Sequence, residues 1–141
     1  MNALSTERND QPAQIILVVE DEPVIREFVC EILEAEGFKT EARDNADTAL
    51  VYLEEHAADV CLLLTDIRMP GSMDGAQLTN LCGKTWPGIP VLVMSGHETP
   101  ESSGVERPVT FIRKPWTIGQ MVDGVASILV KDVGGSEPVF N

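Results

Sequence analysis

The chain has 141 residues, 43% of them hydrophobic, so it suits a single domain that buries a sizeable core without disulfides or a structural metal. Lys and Arg total 10 against 23 Asp and Glu, and the net charge of −13 disfavours direct binding to nucleic acid or to an anionic membrane surface. No stretch resembles a signal peptide or a membrane span, and three cysteines far apart in apolar stretches are typical of reduced thiols, so we expect a cytoplasmic protein.

Apolar runs alternate with helical patterns from residue 15 onward, after a polar N-terminal arm over residues 1–14. Short runs bounded by polar or turn residues predict five strands, at residues 15–19, 38–42, 60–66, 91–94 and 109–112. A first helix is predicted from Pro23 until Gly37 ends it. Asn45 or Asp47 can cap a second helix, and a third is predicted from Asp74.

The stretch between the fourth and fifth strands departs from this alternation. Residues 96–108 contain glycines, prolines, two adjacent serines and one large apolar residue, Val105, which supports at most one or two helical turns. The fourth helix is therefore predicted to be short or missing. A final helix is predicted from Ile118, the domain is expected to end at about residue 130, and residues 131–141 are expected to form a flexible tail.

Strands that alternate with helices predict an α/β fold with a parallel sheet and right-handed crossovers. In open sheets of this kind the binding site lies just beyond the carboxyl ends of the strands. Four of the predicted strands end at side chains that suit a metal or a phosphate, namely Glu20 with Asp21, Asp66, Ser95 and Lys114. We therefore expect these side chains to meet in one crevice.

The chemistry of this set points to a phosphorylated aspartate. Glu20, Asp21 and Asp66 repel one another in a partly desolvated cleft unless a cation lies between them. Oxygen ligands suit Mg²⁺, which keeps several waters and often completes its shell with a phosphate oxygen. Ser95 and Lys114 add a hydroxyl and an ammonium for an anion, and Asp66, at the end of the central strand, is the predicted nucleophile.

Four segments of the chain resemble the receiver domain of two-component response regulators. They are ILVVEDEP at residues 16–23, LLLTDIRMPG at 62–71, VLVMSG at 91–96 and FIRKPW at 111–116, and the resemblance covers residues 15–130. It implies a flavodoxin-like, doubly wound, five-stranded parallel sheet in the order 2-1-3-4-5 with helices on both faces. Because the stretch after the last helix is too short for an output module, we expect a stand-alone receiver.

The resemblance also implies a phosphoryl donor and a metal. Asp66 would accept a phosphoryl group from a phosphohistidine on a histidine kinase or a histidine phosphotransfer protein. Asp21, Asp66 and the backbone carbonyl of Arg68 would ligate Mg²⁺, with Glu20 holding a ligand water. The domain would then change its partner binding, pass the phosphate on or drain it.

Residues around the phosphoryl group have implied roles as well. Ser95 and Lys114 would each contact a phosphoryl oxygen, and Ser95 would act with Phe111 as the switch. Arg68 and His97, two places after Asp66 and Ser95, would modulate how quickly the phosphate hydrolyses. The segment from residue 69 to 75 has one residue more than the common MPxMDG turn, and the interval from Ser95 to Lys114 is shorter than usual, so the docking mode of output partners is expected to differ.

Other functions are weighed beside this one. A receiver-like scaffold could dock a partner irrespective of phosphate, and the chain could be a receiver cut from a hybrid histidine kinase. An aspartate-nucleophile phosphatase needs a general acid two residues after the nucleophile, where Arg68 stands, so we predict no enzyme. The sequence leaves open a weak homodimer.

Overall fold

The computed structural model describes residues 13–134, and the side chains of residues 13–129. A five-stranded parallel sheet in the order β2-β1-β3-β4-β5 forms its centre. The strands are β1 (Ile15–Val19), β2 (Lys39–Arg43), β3 (Val60–Asp66), β4 (Val91–Ser95) and β5 (Thr110–Arg113). The helices are α1 (Pro23–Ala35), α2 (Ala46–His56) with a 3₁₀ turn at Ala57–Asp59, α3 (Gly75–Thr85) and α4 (Ile118–Gly134). The predicted fold class and strand order are confirmed.

Two apolar clusters cover the two faces of the sheet. Because successive side chains of a strand point to opposite faces, Ile16 and Val18 of β1 join one cluster, and Leu17 and Val19 join the other. The first cluster contains buried residues of α1 and α4, and the second contains buried residues of α2 and α3. Because all five strands are parallel, their carboxyl ends lie at one rim of the sheet. The polar residues that come directly after the strands lie at this rim. Within the described residues, no helix is long and apolar enough to cross a membrane.

Local sequence signals set where the helices begin. Pro23 starts α1 at a position where the missing backbone N–H costs no hydrogen bond. The Asn45 side chain accepts a hydrogen bond from the Thr48 backbone N–H at 2.8 Å, so Asn45 is the cap of α2. Asp74 and Gln77 form a reciprocal capping box at the start of α3.

Three segments bear on the predicted boundaries. Residues 96–109 contain no helix, which confirms the prediction of a missing fourth helix. β2 begins and ends one residue later than predicted. The last helix continues to Gly134, four residues into the stretch expected to be a tail, because no glycine or proline interrupts residues 130–133. The predicted arm over residues 1–12 and the tail over 135–141 lie outside the described residues.

Candidate functional site

Three carboxylates meet at the carboxyl rim of the sheet. Glu20 and Asp21 follow β1, and Asp66 is the last residue of β3, the strand that lies beside β1. One carboxylate oxygen of each residue lies within 4.8 Å of the others. Glu20 is fully buried and Asp66 is 8% exposed, whereas Asp21 is half-buried. The three acids that the sequence analysis expected to converge therefore lie together in the structure.

Lys114, just beyond β5, reaches across the rim to the two buried acids. Its ammonium donates hydrogen bonds to Asp66 Oδ2 at 3.0 Å and to Glu20 Oε1 at 3.2 Å. The backbone N–H of Lys114 donates to the carbonyl of Ser95 at 2.7 Å, which fixes the lysine to the end of β4. Four strand ends thus contribute to a single polar cluster.

The charges of this cluster do not balance. Burial raises the pKa of Glu20 and of Asp66 above the ordinary carboxyl value, and the nearby Lys114 only partly offsets it. Burial alone would lower the pKa of Lys114, but its hydrogen bonds and attraction to Asp66 and Glu20 outweigh burial and raise it. One ammonium therefore faces three acids, including Asp21. Because oxygen donors and uncompensated negative charge suit a hard divalent cation, the residues present fit Mg²⁺.

Backbone groups hold the two buried acids in place. The Glu22 N–H donates to Glu20 Oε2 at 3.1 Å, and the Ile67 N–H donates to Asp66 Oδ1 at 2.9 Å. The Arg26 guanidinium of α1 donates to the carbonyl of Glu20 at 2.8 Å. The two oxygens of Asp66 thus have different partners: Oδ1 accepts from the Ile67 N–H, and Oδ2 accepts from the Lys114 ammonium.

The long loop after β3 is tied down at two points. The Gly75 N–H donates to the carbonyl of Ile67 at 2.8 Å, and a Cβ at Gly75 would lie only 1.7 Å from the backbone oxygen of Asp66. Further out, the Ser72 hydroxyl donates to Asp47 of α2 at 2.7 Å. Gly71 next to it has φ +114°, a conformation that favours glycine. The loop between β3 and α3 is therefore held both beside Asp66 and against α2.

A cavity of about 150 Å³ opens beside Asp66, and we call it the acceptor cavity. Arg68 and His97, the predicted modulators, both line it and are both exposed. Its lining consists of Asp66, Arg68, Gly96, His97, Glu98 and Lys114. The structure therefore brings Arg68 and His97 to the predicted nucleophile.

The side chains of the two predicted switch residues lie outside the lining of the acceptor cavity. Ser95 is 3% exposed at the end of β4, next to Gly96 of the acceptor cavity. Phe111 pairs with Val93 in the sheet and packs, partly buried, against the cluster under α2 and α3. Neither side chain lines the acceptor cavity.

Two features of the site escaped the sequence analysis. Glu98 is buried, and its carboxylate accepts a hydrogen bond from Arg68 Nε, which lowers the pKa of Glu98. The second feature is a hollow of about 470 Å³, which we call the apolar hollow, where the rings of Phe28 and Trp116 stack with centroids 6.0 Å apart. The hollow reaches Lys114 and His97, and so borders the acceptor cavity.

The chain matches the family model of the response regulator receiver domain over residues 16–126. The chain belongs to the receiver domain family of response regulators. Receiver domains of this family are signalling domains of two-component systems.

Individual relatives agree with the family match. The nitrogen assimilation regulatory protein NtrX of Azorhizobium caulinodans is 34% identical over 114 residues, covering 78% of this chain and 25% of that protein. The crystal structure of the NtrX receiver domain from Brucella abortus superposes with a TM-score of 0.73 at 34% identity, covering 81% of this chain and 97% of that one. A CheY-like receiver from Methanospirillum hungatei gives a TM-score of 0.76 at 25% identity, covering 87% and 98% of the two chains. The chain thus spans about a quarter of NtrX.

Proposed function

We propose that the chain is a phosphoacceptor whose Asp66 takes a phosphoryl group from a phosphohistidine. The observation that carries this proposal is the Asp66 carboxylate, which lies 3.0 Å from the Lys114 ammonium and opens on a small cavity at the carboxyl rim of the sheet. A carboxylate in this position is an oxygen nucleophile with a cation beside it. Membership of the receiver family supports the same chemistry.

The transfer needs no further reactant. An oxygen of Asp66 attacks phosphorus, a P–O bond forms as the P–N bond to the donor imidazole breaks, and the bonding pair returns to that nitrogen. Lys114 then pairs with the negative charge that builds on the phosphoryl oxygens, and the hydroxyl of Ser95 donates to another. Loss of phosphate is the attack of water on the same phosphorus, which returns the carboxylate and releases inorganic phosphate.

Two of the acids and one backbone carbonyl are the proposed metal ligands, and the third acid is proposed to bind a ligand water. Asp21, Asp66 and the carbonyl of Arg68 would hold Mg²⁺, and Glu20 would hold one of its waters. When bound, the ion offsets the negative charge of the acids and polarises the phosphoryl group. Glu20 is fully buried and accepts a hydrogen bond from the Glu22 N–H, so it keeps its orientation whether or not the ion is bound.

The donor is proposed to dock on an apolar patch beside the acceptor cavity. Val24 of α1 is 79% exposed, Phe28 is 44% exposed and Ile118 of α4 is 54% exposed, and Trp116 stacks on Phe28 between them. A protein that brings its histidine to Asp66 must cover the surface next to the cavity. The apolar hollow lies there, so a histidine kinase or histidine phosphotransfer protein is the occupant we propose.

The test is phosphorylation by a small donor. We expect acetyl phosphate with Mg²⁺ to add the mass of one phosphoryl group to the intact protein, and Asp66→Asn to abolish the gain. Asp123→Asn, at an exposed position of α4, removes the same charge and is expected to be phosphorylated like the wild type. A wild type that gains no mass would favour the second candidate, a scaffold that docks partners irrespective of phosphate.

A further inference from the structure

Glu98 is a buried acid for which the proposed chemistry has no use. Its side chain is 8% exposed, and it lines the acceptor cavity together with Asp66. A carboxylate in this place repels an incoming phosphoryl group, and burying it is unfavourable unless a cation pairs with it. The burial of Glu98 therefore depends on the cation that pairs with it.

The partner is Arg68, whose side chain is 81% exposed. Arg68 Nε donates to Glu98 Oε2, while the Gly96 N–H donates to the other oxygen, Oε1, at 3.3 Å. Because Arg68 follows β3 and Glu98 follows β4, the ion pair joins two rim segments across the acceptor cavity. The guanidinium of Arg68 is a permanently charged donor in this cavity and suits a phosphoryl oxygen, as does the ammonium of Lys114.

The segment that carries Glu98 has a second attachment farther along. Asn80 of α3 donates to the Gly104 carbonyl at 2.9 Å and accepts from the Glu106 N–H at 2.7 Å. Between these attachments, Thr99 and Ser102 bond to each other in a local turn. Residues 96–103 therefore depend on the Arg68–Glu98 pair at one end.

We infer that Glu98 is a positioning residue of the phosphoryl site: it holds Arg68 while Asp66 is unphosphorylated, and the phosphoryl group then displaces it from Arg68 and releases residues 96–103. This inference rests on the proposed function. A phosphoryl group carries up to two negative charges and three acceptor oxygens, so it binds a guanidinium more strongly than one carboxylate. Repulsion between the two anions in a cavity of about 150 Å³ then separates Glu98 from the phosphoryl group.

The test uses beryllofluoride, which mimics the phosphoryl group on an aspartate, and measures its affinity by calorimetry in the presence of Mg²⁺. Glu98→Gln removes the competing charge, so we expect affinity to rise by at least about fivefold, the lower end of typical couplings. Glu101→Gln is the matched control, because it removes the same charge from an exposed position of the same segment. The gain is expected to be smaller when Glu98→Gln is made in an Arg68→Gln background, since Glu98 then no longer competes for Arg68 and only its direct repulsion is removed.

A second readout follows the segment itself. We expect amide hydrogen exchange over residues 96–103 to speed up in Glu98→Gln, in Arg68→Gln and in the wild type with beryllofluoride, and to stay unchanged in Glu101→Gln. Arg68→Gln changes an exposed side chain, so it preserves the test if Glu98→Gln does not fold. In that variant beryllofluoride should bind more weakly and cause no further increase in exchange.

The outcomes separate the two proposals. A wild type that binds beryllofluoride, with Glu98→Gln and Glu101→Gln equal to it in affinity and exchange, would overturn the role of Glu98 alone. A gain in Glu98→Gln that is undiminished in the Arg68→Gln background would overturn it as well. A wild type that takes up neither beryllofluoride nor phosphate from acetyl phosphate would overturn the proposed function, and this inference with it.

Discussion

Lys114 lies between two buried acids whose charge it only partly neutralises. Its ammonium contacts Glu20 and Asp66, yet the pKa of both acids stays above the ordinary value because burial outweighs its attraction. A single cation is therefore too little for this rim. The pH dependence of stability should reveal the remaining charge, and a metal should remove it.

We predict that Mg²⁺ stabilises the protein more at neutral than at acidic pH. Because the folded pKa of Glu20 and Asp66 is raised, the folded state binds protons more tightly than the unfolded chain. The free energy of unfolding then falls as pH rises from the ordinary carboxyl value, roughly 4, through the raised values. Mg²⁺ bound to the deprotonated acids would restore that stability, so its effect on the melting temperature should be large near about pH 7.5 and small near about pH 5.

Thermal melts followed by circular dichroism, with and without Mg²⁺, check this prediction. Asp21→Asn should reduce the Mg²⁺ effect, whereas Asp123→Asn, at an exposed position of α4, should keep it. An equal shift of the melting temperature at both pH values would show that the acids at the rim are not where Mg²⁺ binds.

At the scale of elements, α3 begins directly against the end of β3. The capping box of Asp74 and Gln77 fixes the first turn of the helix, and Gly75 touches the backbone of Asp66. A residue of any size at position 75 would push the helix away from the strand that carries the proposed nucleophile.

We predict that Gly75→Ala lowers the free energy of unfolding by at least about 2 kcal/mol, since the new methyl group overlaps the Asp66 carbonyl. Gly88→Ala is the control, because a Cβ there meets no atom within 4 Å. Urea unfolding of the two variants measures the difference. The same loss in both would mean that contact with β3 does not govern the effect.

Most elements were predictable because their signals are local. Apolar runs fixed the strands to within a residue or so, and Asn45 and Asp74 marked helix starts by a capping chemistry that needs only neighbouring residues. Asp66 and Lys114 could be placed together because parallel strands share one carboxyl rim. Their chemical roles, and those of Ser95 and Phe111, stay predictions.

What escaped prediction depends on long-range folding. The burial of Glu98 follows from the path of a segment without helical or strand periodicity, so no pattern marked it. Phe28 lies on α1, whereas Trp116 lies in the loop between β5 and α4. Their rings stack only because the folded chain brings these two segments together. Aromatic residues at such separations carry no sequence signal of their contact.

At the scale of the whole molecule, helices on both faces of the sheet carry exposed apolar side chains, and those of one face lie nearer the proposed docking surface. Val24 on α1 directly precedes Ile25, which lines the apolar hollow, whereas Val51 lies on α2, a helix of the opposite face, and both valines are more than half exposed. This pair offers a matched test of the docking surface.

We predict that Val24→Asp slows phosphotransfer from a protein donor by about tenfold or more, because it places a charge in an apolar contact, while Val51→Asp does not. The donor is the phosphorylated histidine kinase that transfers fastest to the wild type in a panel, and radiolabel transfer gives the rate. Both variants should react with acetyl phosphate like the wild type. Equal slowing by the two substitutions would place the docking surface elsewhere.

The stacked rings of Phe28 and Trp116 also give the molecule an optical reporter. The chain has two tryptophans, and Trp86 lies at the end of α3, on the opposite face from the apolar hollow. A Trp86→Phe variant would therefore keep a single indole, that of Trp116 beside Lys114. Events at the acceptor carboxylate could then be followed in real time by intrinsic fluorescence, with no dye attached to the protein.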